Sequence, residues 1–163
     1  MSGEPSKVTS LEALAARLSE GGRDGLVLAN GLFDILHVGH VRYLAAARAA
    51  GRVLVVAVNS DESARRLKGP GRPLVPLAER MELVAALECV DHVLSFEGDT
   101  VEVVLRRLRP AIHAKGTDYT VESVPERGIA AELGIRTIIA GDAKGHASSD
   151  LIGRIRRGAD ANA

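Results

Sequence analysis

The sequence has few aromatic residues, one cysteine and no excess of charge of either sign. Phenylalanine and tyrosine contribute two residues each and tryptophan none, which argues against a single-stranded nucleic-acid surface built on aromatic stacking. Lys plus Arg total 21 and Asp plus Glu total 21, so no overall field attracts nucleic acid or an anionic membrane. We therefore expect neither partner, and any bound anion must be held by local groups.

Long apolar runs are also missing. The longest aliphatic run, residues 53–58, is far shorter than the about 20 residues that a membrane-spanning helix needs. Residues 1–10 lack the apolar stretch of a signal peptide. Cys89 lies in an apolar helical pattern, which favours a buried thiol in a reducing compartment over a disulfide partner or a nucleophile. Together these features predict a cytoplasmic protein.

Short aliphatic runs alternate with helical patterns from Gly25 onward. Runs that are apolar throughout indicate strands covered on both faces, and β-α-β order indicates a parallel sheet. We therefore predict an α/β fold with a Rossmann-like, doubly wound, five-stranded parallel sheet and ligands at the carboxyl ends of its strands. The predicted strands are residues 26–29, 53–58, 92–96, 111–115 and 135–140.

The 163 residues suit one domain with a full hydrophobic core. On this interpretation residues 1–24 are an N-terminal extension with one helix, residues 25–158 are the main domain, and residues 159–163 are a frayed tail. Polar residues before helical patterns predict the helix caps. The predicted caps are Thr9 (with Glu12), Asp99 or Thr100, Ser123 (with Glu126) and Ser148 or Ser149, and Gly21-Gly22 is predicted to end the first helix.

The most informative stretch runs from Asn30 to His40 and reads Asn-Gly-Leu-Phe-Asp-Ile-Leu-His-Val-Gly-His. It follows the first strand, where backbone amides and a helix N-terminus meet phosphate in this architecture. Gly39 allows the chain to approach a phosphate closely, and His37 and His40 can donate hydrogen bonds to phosphoryl oxygens. Such donors would stabilise the charge that develops on a transferring phosphoryl group.

The residues alone leave two other interpretations of His37 and His40 open. A His-x-x-His pair can bind zinc, but no further ligand clusters beside it in the sequence, so no protein metal ligand is predicted. The two histidines can also be structural residues of a helix start, since short motifs often mislead.

Residues 30–40 resemble the His-x-Gly-His signature of the nucleotidyltransferase superfamily, which includes cytidylyltransferases and, more distantly, class I aminoacyl-tRNA synthetases. Further segments make the sequence similar to bacterial heptose-1-phosphate adenylyltransferases, over roughly residues 28–157. These segments are residues 41–44, 59–61, 68–73, Arg80, residues 85–91 and residues 115–119. The resemblance implies that residues 25–158 are a nucleotidyltransferase domain of the HxGH fold. It also implies the reaction of ATP with D-glycero-β-D-manno-heptose 1-phosphate to ADP-heptose and pyrophosphate, with Mg²⁺ as cofactor.

The resemblance also implies roles for individual residues. The catalytic residues would be His37, His40 and Lys68, and the substrate phosphate would be bound by Lys68, Arg72 and Arg80. The nucleotide would be bound by Asn30, Gly31, Leu32, Phe33, Asp34, Gly39, Lys115, Gly116, Asp118, His146, Ala147, Ser148 and Ser149.

Other interpretations of the charged residues stay open from the sequence. Lys68 and Arg72 flank a Gly/Pro-rich segment with two possible interpretations. It can be a lid that covers a bound polyanion, or a loop whose charges are solvated. Arg80 fits either a phosphate contact or a surface pair within its helix. Lys115 ends the fourth predicted strand, where it can meet a phosphate, whereas His113 within that strand is expected to pack in the core.

The final helix opens at residues 145–150, where free amides and hydroxyls form an anion site. Asp150 departs from the longer Ser/Thr run that the resembling family carries there. A carboxylate beside phosphates would repel them unless Mg²⁺ or Lys144 intervenes.

Two other functions are considered beside the heptose reaction. The first keeps the chemistry and uses CTP with glycerol 3-phosphate or another sugar or polyol phosphate. The second is a noncatalytic nucleotide-binding module, against which the intact pair of His37 and His40 argues. For the enzyme we expect a separate sugar kinase to supply the 1-phosphate, and we expect a homodimer.

Overall fold

The computed structural model describes residues 6–18, 23–143 and 147–160. Five parallel strands form one sheet in the order β3-β2-β1-β4-β5, and helices flank it. The strands are β1 (Leu26–Gly31), β2 (Val53–Asn59), β3 (His92–Phe96), β4 (Ile112–Gly116) and β5 (Arg136–Ala140). The helices are α1 (Leu11–Leu18), α2 (Val38–Ala49), α3 (Asp61–Lys68), α4 (Leu77–Ala85), α5 (Glu102–Leu108), α6 (Arg127–Glu132) and α7 (Ser148–Asp160). The predicted doubly wound, five-stranded parallel sheet is confirmed.

The sheet is covered on both faces. Leu26 and Leu28 of β1 pack in one apolar layer, to which α1, α5 and α6 contribute. Val27 and Ala29 pack in the opposite layer, to which α2 and α4 contribute. Since successive strand residues point to opposite faces, residues 26–29 of β1 must all be apolar. This double burial explains why uninterrupted aliphatic runs predicted the central strands.

The order of the strands determines where a ligand can bind. Strand β1 pairs with β2 on one side and with β4 on the other, and the chain changes its direction of winding there. At such a switch point the loops after neighbouring strands separate and leave a crevice. The loop that follows β1, residues 32–37, therefore lies beside the end of β4.

The segment before β1 belongs to the same core. The amide of Thr9 donates to the carbonyl of Val93 at 2.9 Å, and the amide of Val93 donates to the carbonyl of Lys7 at 2.8 Å. These bonds join the N-terminal segment to the β3 edge of the sheet as an isolated parallel bridge. Leu14 and Leu18 of α1 pack in the core beside α5.

The start of α1 differs from its prediction. The hydroxyl of Ser10, not that of Thr9, accepts a hydrogen bond from the amide of Ala13, at 3.1 Å. Ser10 therefore caps the helix. The predicted stop at Gly21-Gly22 lies outside the described residues.

Two later helix caps also differ. Neither Asp99 nor Thr100 caps α5, because that helix begins only at Glu102 and its N-cap residue is Val101, which makes no side-chain cap hydrogen bond. Ser123 instead closes a turn by accepting from the amide of Thr120 at 2.9 Å, and α6 begins four residues after Ser123. In both cases the residues predicted as helix caps lie in the loop that precedes the helix.

The sequence leaves residues 59–61 open as a helix cap or a ligand contact, and Ser60 does cap α3 by accepting from the amide of Ser63 at 3.0 Å. Helix α7 continues through Asp160, into the segment predicted as a tail, and residues 161–163 lie outside the described residues. Cys89 is half-buried rather than buried. None of the described helices combines the length and apolar character needed to span a bilayer.

Candidate active site

A cleft of about 790 Å³ opens at the carboxyl ends of the strands, where the fold predicts ligand binding. It lies between the loop after β1, the ends of β4 and β5, and the start of α7. The predicted site residues that line it are Asn30, Gly31, Leu32, Phe33, Asp34, His37, Gly39, His40, Lys68, Arg72, Lys115, Gly116, Asp118, Ala147, Ser148 and Ser149. Arg80 does not line it, and His146 lies outside the described residues.

The two histidines stack against each other at the start of α2. Their ring centroids are 3.9 Å apart and their planes are inclined by 26°. Nδ1 of His37 accepts from the amide of Gly39 at 3.1 Å, and Nδ1 of His40 accepts from the amide of His37 at 3.4 Å. The pair thus forms a reciprocal capping box made of imidazoles.

This capping box determines which ring nitrogen carries the hydrogen. Because Nδ1 of His37 and of His40 each accepts a hydrogen bond, the neutral rings carry their hydrogens on Nε2. Burial, and then the charge of His37, lower the pKa of His40 to about 4, while Asp118 acts in the opposite direction. Near pH 7 the cleft therefore contains His40 as a neutral Nε2 donor.

Aromatic packing supports the histidines from behind. The Phe33 ring lies 5.3 Å from that of His40 and stacks at 6.5 Å on Tyr43, with planes inclined by 10°. The Tyr43 hydroxyl donates to the carbonyl of Ala114 at 2.7 Å and so joins α2 to β4. Phe33 adopts this position with a left-handed backbone, φ 51°. Phe33, which was predicted to contact the nucleotide, therefore also packs against the rings of His40 and Tyr43.

Asp34 secures the loop before α4. Its buried carboxylate accepts from Nε of Arg72 at 2.6 Å and from the amides of Leu74 and Val75 at 2.8 and 3.0 Å. Arg72 lines the cleft while it makes this ion pair. Asp34 therefore positions Arg72, in addition to the nucleotide contact predicted for it.

Arg80 does not occupy the position predicted for a phosphate ligand. It is 0% exposed, and its guanidinium donates to the carbonyls of Val75 and Leu32 at 2.9 and 2.6 Å and to Asp61 at 2.7 Å. Nor does it form the surface pair within its own helix that was the alternative. This position indicates that Arg80 joins α3 and α4 to the loop after β1.

Two lysines line the cleft in different settings. Lys68 is the last residue of α3 and is exposed. Lys115 lies in β4, is only 6% exposed, and its Nζ is 3.6 Å from Oε2 of Glu126 and 4.6 Å from the centroid of the Tyr119 ring. Burial lowers the pKa of Lys115, and the Glu126 carboxylate raises it in part.

His113 packs in the core, as predicted. It is 0% exposed, and its Nε2 bonds to Oδ1 of Asn30 at 3.0 Å, which places the hydrogen on Nε2. Burial lowers its pKa to about 4. The side chain of Asn30, predicted to bind nucleotide, is therefore held by the β4 strand at the edge of the cleft.

The start of α7 forms another wall of the cleft. The hydroxyl of Ser148 donates to the carbonyl of Ile35 at 3.2 Å and connects this helix to the loop after β1. Ser148 is the first residue of the helix, so its bond does not cap it. Ser149 is exposed and lines the cleft, whereas Asp150 does not line it. The carboxylate of Asp150 is thus not a wall of the cleft.

Several lining residues were not among the predicted site residues. They include Tyr43, Asn59, Leu67, Asp99, Thr117, Tyr119, Pro125, Glu126 and the segment 140–143. The segment after β5 could have been found from the rule that all strand ends meet at one edge. Glu126 gave no such signal, because it reaches the cleft through the packing of α6.

No group of three or more metal-ligating side chains occurs within the described ranges 6–18, 23–143 and 147–160. The carboxylate of Asp34 is used by the loop that contains Arg72.

The cytidylyltransferase-like family profile matches residues 28–149, which contain the histidine pair and most of the cleft. The chain belongs to the cytidylyltransferase-like family. It carries a nucleotidyltransferase domain.

Curated relatives are similar in sequence to nearly the whole chain. The chain is 44% identical over 154 residues to "Bifunctional protein HldE" of Geotalea uraniireducens, covering 93% of this chain and 31% of the relative. The protein of that name from Streptomyces coelicolor is 47% identical over 148 residues, covering 90% of this chain and 32% of the relative. The chain thus spans about a third of the length of the curated relatives it matches.

Solved structures have the same fold. The lipopolysaccharide core biosynthesis protein of Thermoplasma volcanium superposes with a TM-score of 0.63 at 29% identity, over 74% of this chain and 99% of that one. Pantothenate synthetase of Thermus thermophilus superposes with a TM-score of 0.60 at 18% identity, over 81% of this chain and 60% of that one. The second likeness concerns the fold alone.

Proposed function

We propose that this domain transfers AMP from ATP to D-glycero-β-D-manno-heptose 1-phosphate, giving ADP-heptose and pyrophosphate. The observation that carries the proposal is the stacked pair His37 and His40 at the start of α2, with both Nδ1 atoms bound to backbone amides. The sequence similarity to the HldE proteins and the likeness to a lipopolysaccharide core biosynthesis protein support a sugar phosphate as acceptor.

The reaction is an in-line displacement at the α-phosphorus of ATP. A phosphate oxygen of the sugar 1-phosphate forms the new O–P bond, and the bond from the α-phosphorus to the bridging oxygen of the β-phosphate breaks. Its electron pair leaves with pyrophosphate. Since the attacking oxygen arrives already ionised, no general base is needed, and catalysis depends on positioning and charge stabilisation.

Each wall of the cleft has a role in this reaction. His37 and His40 donate from Nε2 to the α-phosphoryl oxygens, and the low pKa of His40 keeps it neutral at the working pH. Lys115 and the exposed Lys68 supply positive charge to the phosphates. The first amides of α7 and the hydroxyl of Ser149 bind the leaving pyrophosphate.

Magnesium enters as the counter-ion of ATP in this proposal. When bound to the phosphates it neutralises charge on the nucleotide and on the departing pyrophosphate. Lys68 and Lys115 would contact the same phosphates from the wall of the cleft. The reaction requires a kinase-type activity that supplies the sugar 1-phosphate, and we propose that the enzyme acts as a homodimer in the cytoplasm.

Release of pyrophosphate tests the proposal. The purified protein is assayed with ATP or CTP, each combined with heptose 1-phosphate or glycerol 3-phosphate in the presence of Mg²⁺. We expect the highest kcat/KM for ATP with heptose 1-phosphate. A preference for CTP with glycerol 3-phosphate would mean that the protein catalyses the same type of nucleotidyl transfer with these substrates instead. Saturable ATP binding without pyrophosphate from any pair would indicate the noncatalytic nucleotide-binding module instead.

A further inference from the structure

A buried carboxylate, that of Glu126, lies in the wall of the cleft and has no role in the reaction proposed above. Glu126 is 3% exposed and directly precedes α6. Its Oε1 accepts from the amide of Val101 at 3.3 Å, before α5. Its Oε2 is buried without a hydrogen-bond partner within the described residues and lies 3.6 Å from Nζ of Lys115. A buried carboxylate oxygen is costly unless an opposite charge compensates it.

Lys115 needs the same compensation. Its ammonium is almost fully buried at the end of β4, and the remaining contact is with the face of the Tyr119 ring. Removal from water favours the neutral amine, and only an opposite charge or a hydrogen bond to the ammonium opposes this. Glu126 is the group that raises the pKa of Lys115 against the effect of burial.

We propose that Glu126 is a positioning residue that keeps Lys115 charged and directed into the phosphate-binding part of the cleft. This proposal rests on the proposed function for its catalytic consequence only. At 3.6 Å the pair is in ionic contact, but the distance is longer than a charge-assisted hydrogen bond. The ammonium hydrogens therefore remain able to donate to a phosphate oxygen while the carboxylate keeps the charge in place.

The other titratable groups around Lys115 cannot take over this role. His113 lies two residues away on β4 and is neutral, since burial lowers its pKa to about 4. Asp118 acts on His40 and Tyr119, raising the pKa of each. From α2 the neighbouring group is Tyr43, whose hydroxyl stays protonated because burial raises its pKa. Among the described residues, Glu126 is the carboxylate that acts on Lys115.

A purely structural role for Glu126 is the alternative, because its Oε1 also joins the start of α5 to α6. The substitution Glu126→Gln separates the two roles. Glutamine has the same shape, and its amide oxygen can still accept from Val101, but it carries no charge. Glu122→Gln serves as the matched control, because Glu122 is an exposed glutamate four residues away on the same segment.

The first measurement needs no substrate. The Lys115 side chain is titrated by NMR in the native protein, in Glu126→Gln and in Glu122→Gln, with Lys115→Met to assign its signal. Lys7, Lys68 and Lys144 serve as internal references. Removing an opposite charge at this distance should lower the pKa of Lys115 by about 1–3 units in Glu126→Gln. The control should leave it unchanged. An unchanged value in Glu126→Gln overturns the proposal.

The second measurement is the pH profile of kcat/KM for ATP. In Glu126→Gln the alkaline limb should move to lower pH, with KM raised about tenfold at pH 8 and kcat less affected, since a lost charge weakens phosphate binding. In a Lys115→Met background the same substitution should add less than about a twofold effect. Glu126→Asp, which keeps the charge, should restore the limb. A lower melting temperature with an unmoved limb would establish the structural role and overturn the proposal.

The proposed function and the role of Glu126 can be refuted separately. If the native protein releases no pyrophosphate with any substrate pair, the proposed function fails. The NMR titration still decides whether Glu126 holds the charge of Lys115.

Discussion

Two histidines of this protein, the half-buried His40 and the fully buried His113, have the same charge and different roles. Burial lowers the pKa of both to about 4, so each is neutral near pH 7. His40 lies at the start of α2 and lines the cleft. His113 lies inside β4, 0% exposed, with Nε2 bound to Asn30. A strongly lowered pKa therefore does not by itself identify the catalytic histidine in this molecule.

The difference lies in which ring nitrogen the fold already uses. In His40 a backbone amide bonds to Nδ1, which leaves the Nε2 hydrogen for a ligand. In His113 the Nε2 hydrogen is donated to Asn30 within the core, and Nδ1 is buried without a partner among the described residues. The two rings are thus the same neutral tautomer. The Nε2 hydrogen of His40 is available to a ligand, whereas that of His113 joins two strands of the core.

The largest expected effect comes from His40→Ala, which tests the catalytic half of the comparison. Losing one fixed donor to the reacting phosphoryl group should lower kcat by about 10²–10³-fold. The melting temperature should fall by only about a few degrees, because the substitution removes one capping contact, that of Nδ1 with the amide of His37, and leaves the core of the sheet in place. Pyrophosphate release and thermal unfolding measure the two effects. A turnover number near that of the native protein would remove the role assigned to His40.

The strands and the histidine motif could be predicted from the sequence because both are local signals. A strand buried on both faces must be apolar, as residues 53–58 of β2 are, and the observed β2 extends the predicted run by one residue only. The motif of His37 and His40 joins a strand to a helix and contains its own capping contacts. Neither signal depends on residues distant in the sequence.

The roles of Arg80 and Glu126 could not be predicted in the same way. Arg80 pairs with Asp61, whose helix α3 is short and polar. Glu126 has the spacing of a capping-box partner for Ser123, yet its carboxylate contacts Lys115 instead. Both contacts arise from tertiary packing between segments that sequence spacing does not connect.

A smaller effect is expected from His113→Leu, which tests the structural half of the comparison. Leucine fills a similar volume but leaves Oδ1 of Asn30 without its donor, which should cost about 1–3 kcal/mol of unfolding free energy. At 20 °C kcat should stay within about threefold of the native value, because His113 does not line the cleft. Urea unfolding and pyrophosphate release are the measurements. A loss of turnover comparable with that of His40→Ala would break the comparison.

The smallest expected effect is the dependence of stability on pH, in which the two histidines should behave alike. Unfolded histidine takes up its proton near pH 6.5, whereas His40 and His113 take it up only near pH 4 in the folded protein. As pH falls from 6.5 to 4, the unfolded state binds protons first, so stability is lost in that window and is unaffected above it.

Each variant that lacks one of these groups should lose less stability on acidification. Between pH 7 and pH 5, the destabilisation of His113→Leu relative to the native protein should shrink by about 1–2 kcal/mol, and that of His40→Ala should change in the same direction. Urea unfolding at pH 7, 6 and 5 measures both. A constant difference for either variant would mean that its histidine is not held neutral by the fold. Equal behaviour in stability with unequal behaviour in turnover would locate the catalytic difference in hydrogen-bond geometry, because the charge state is then the same for both.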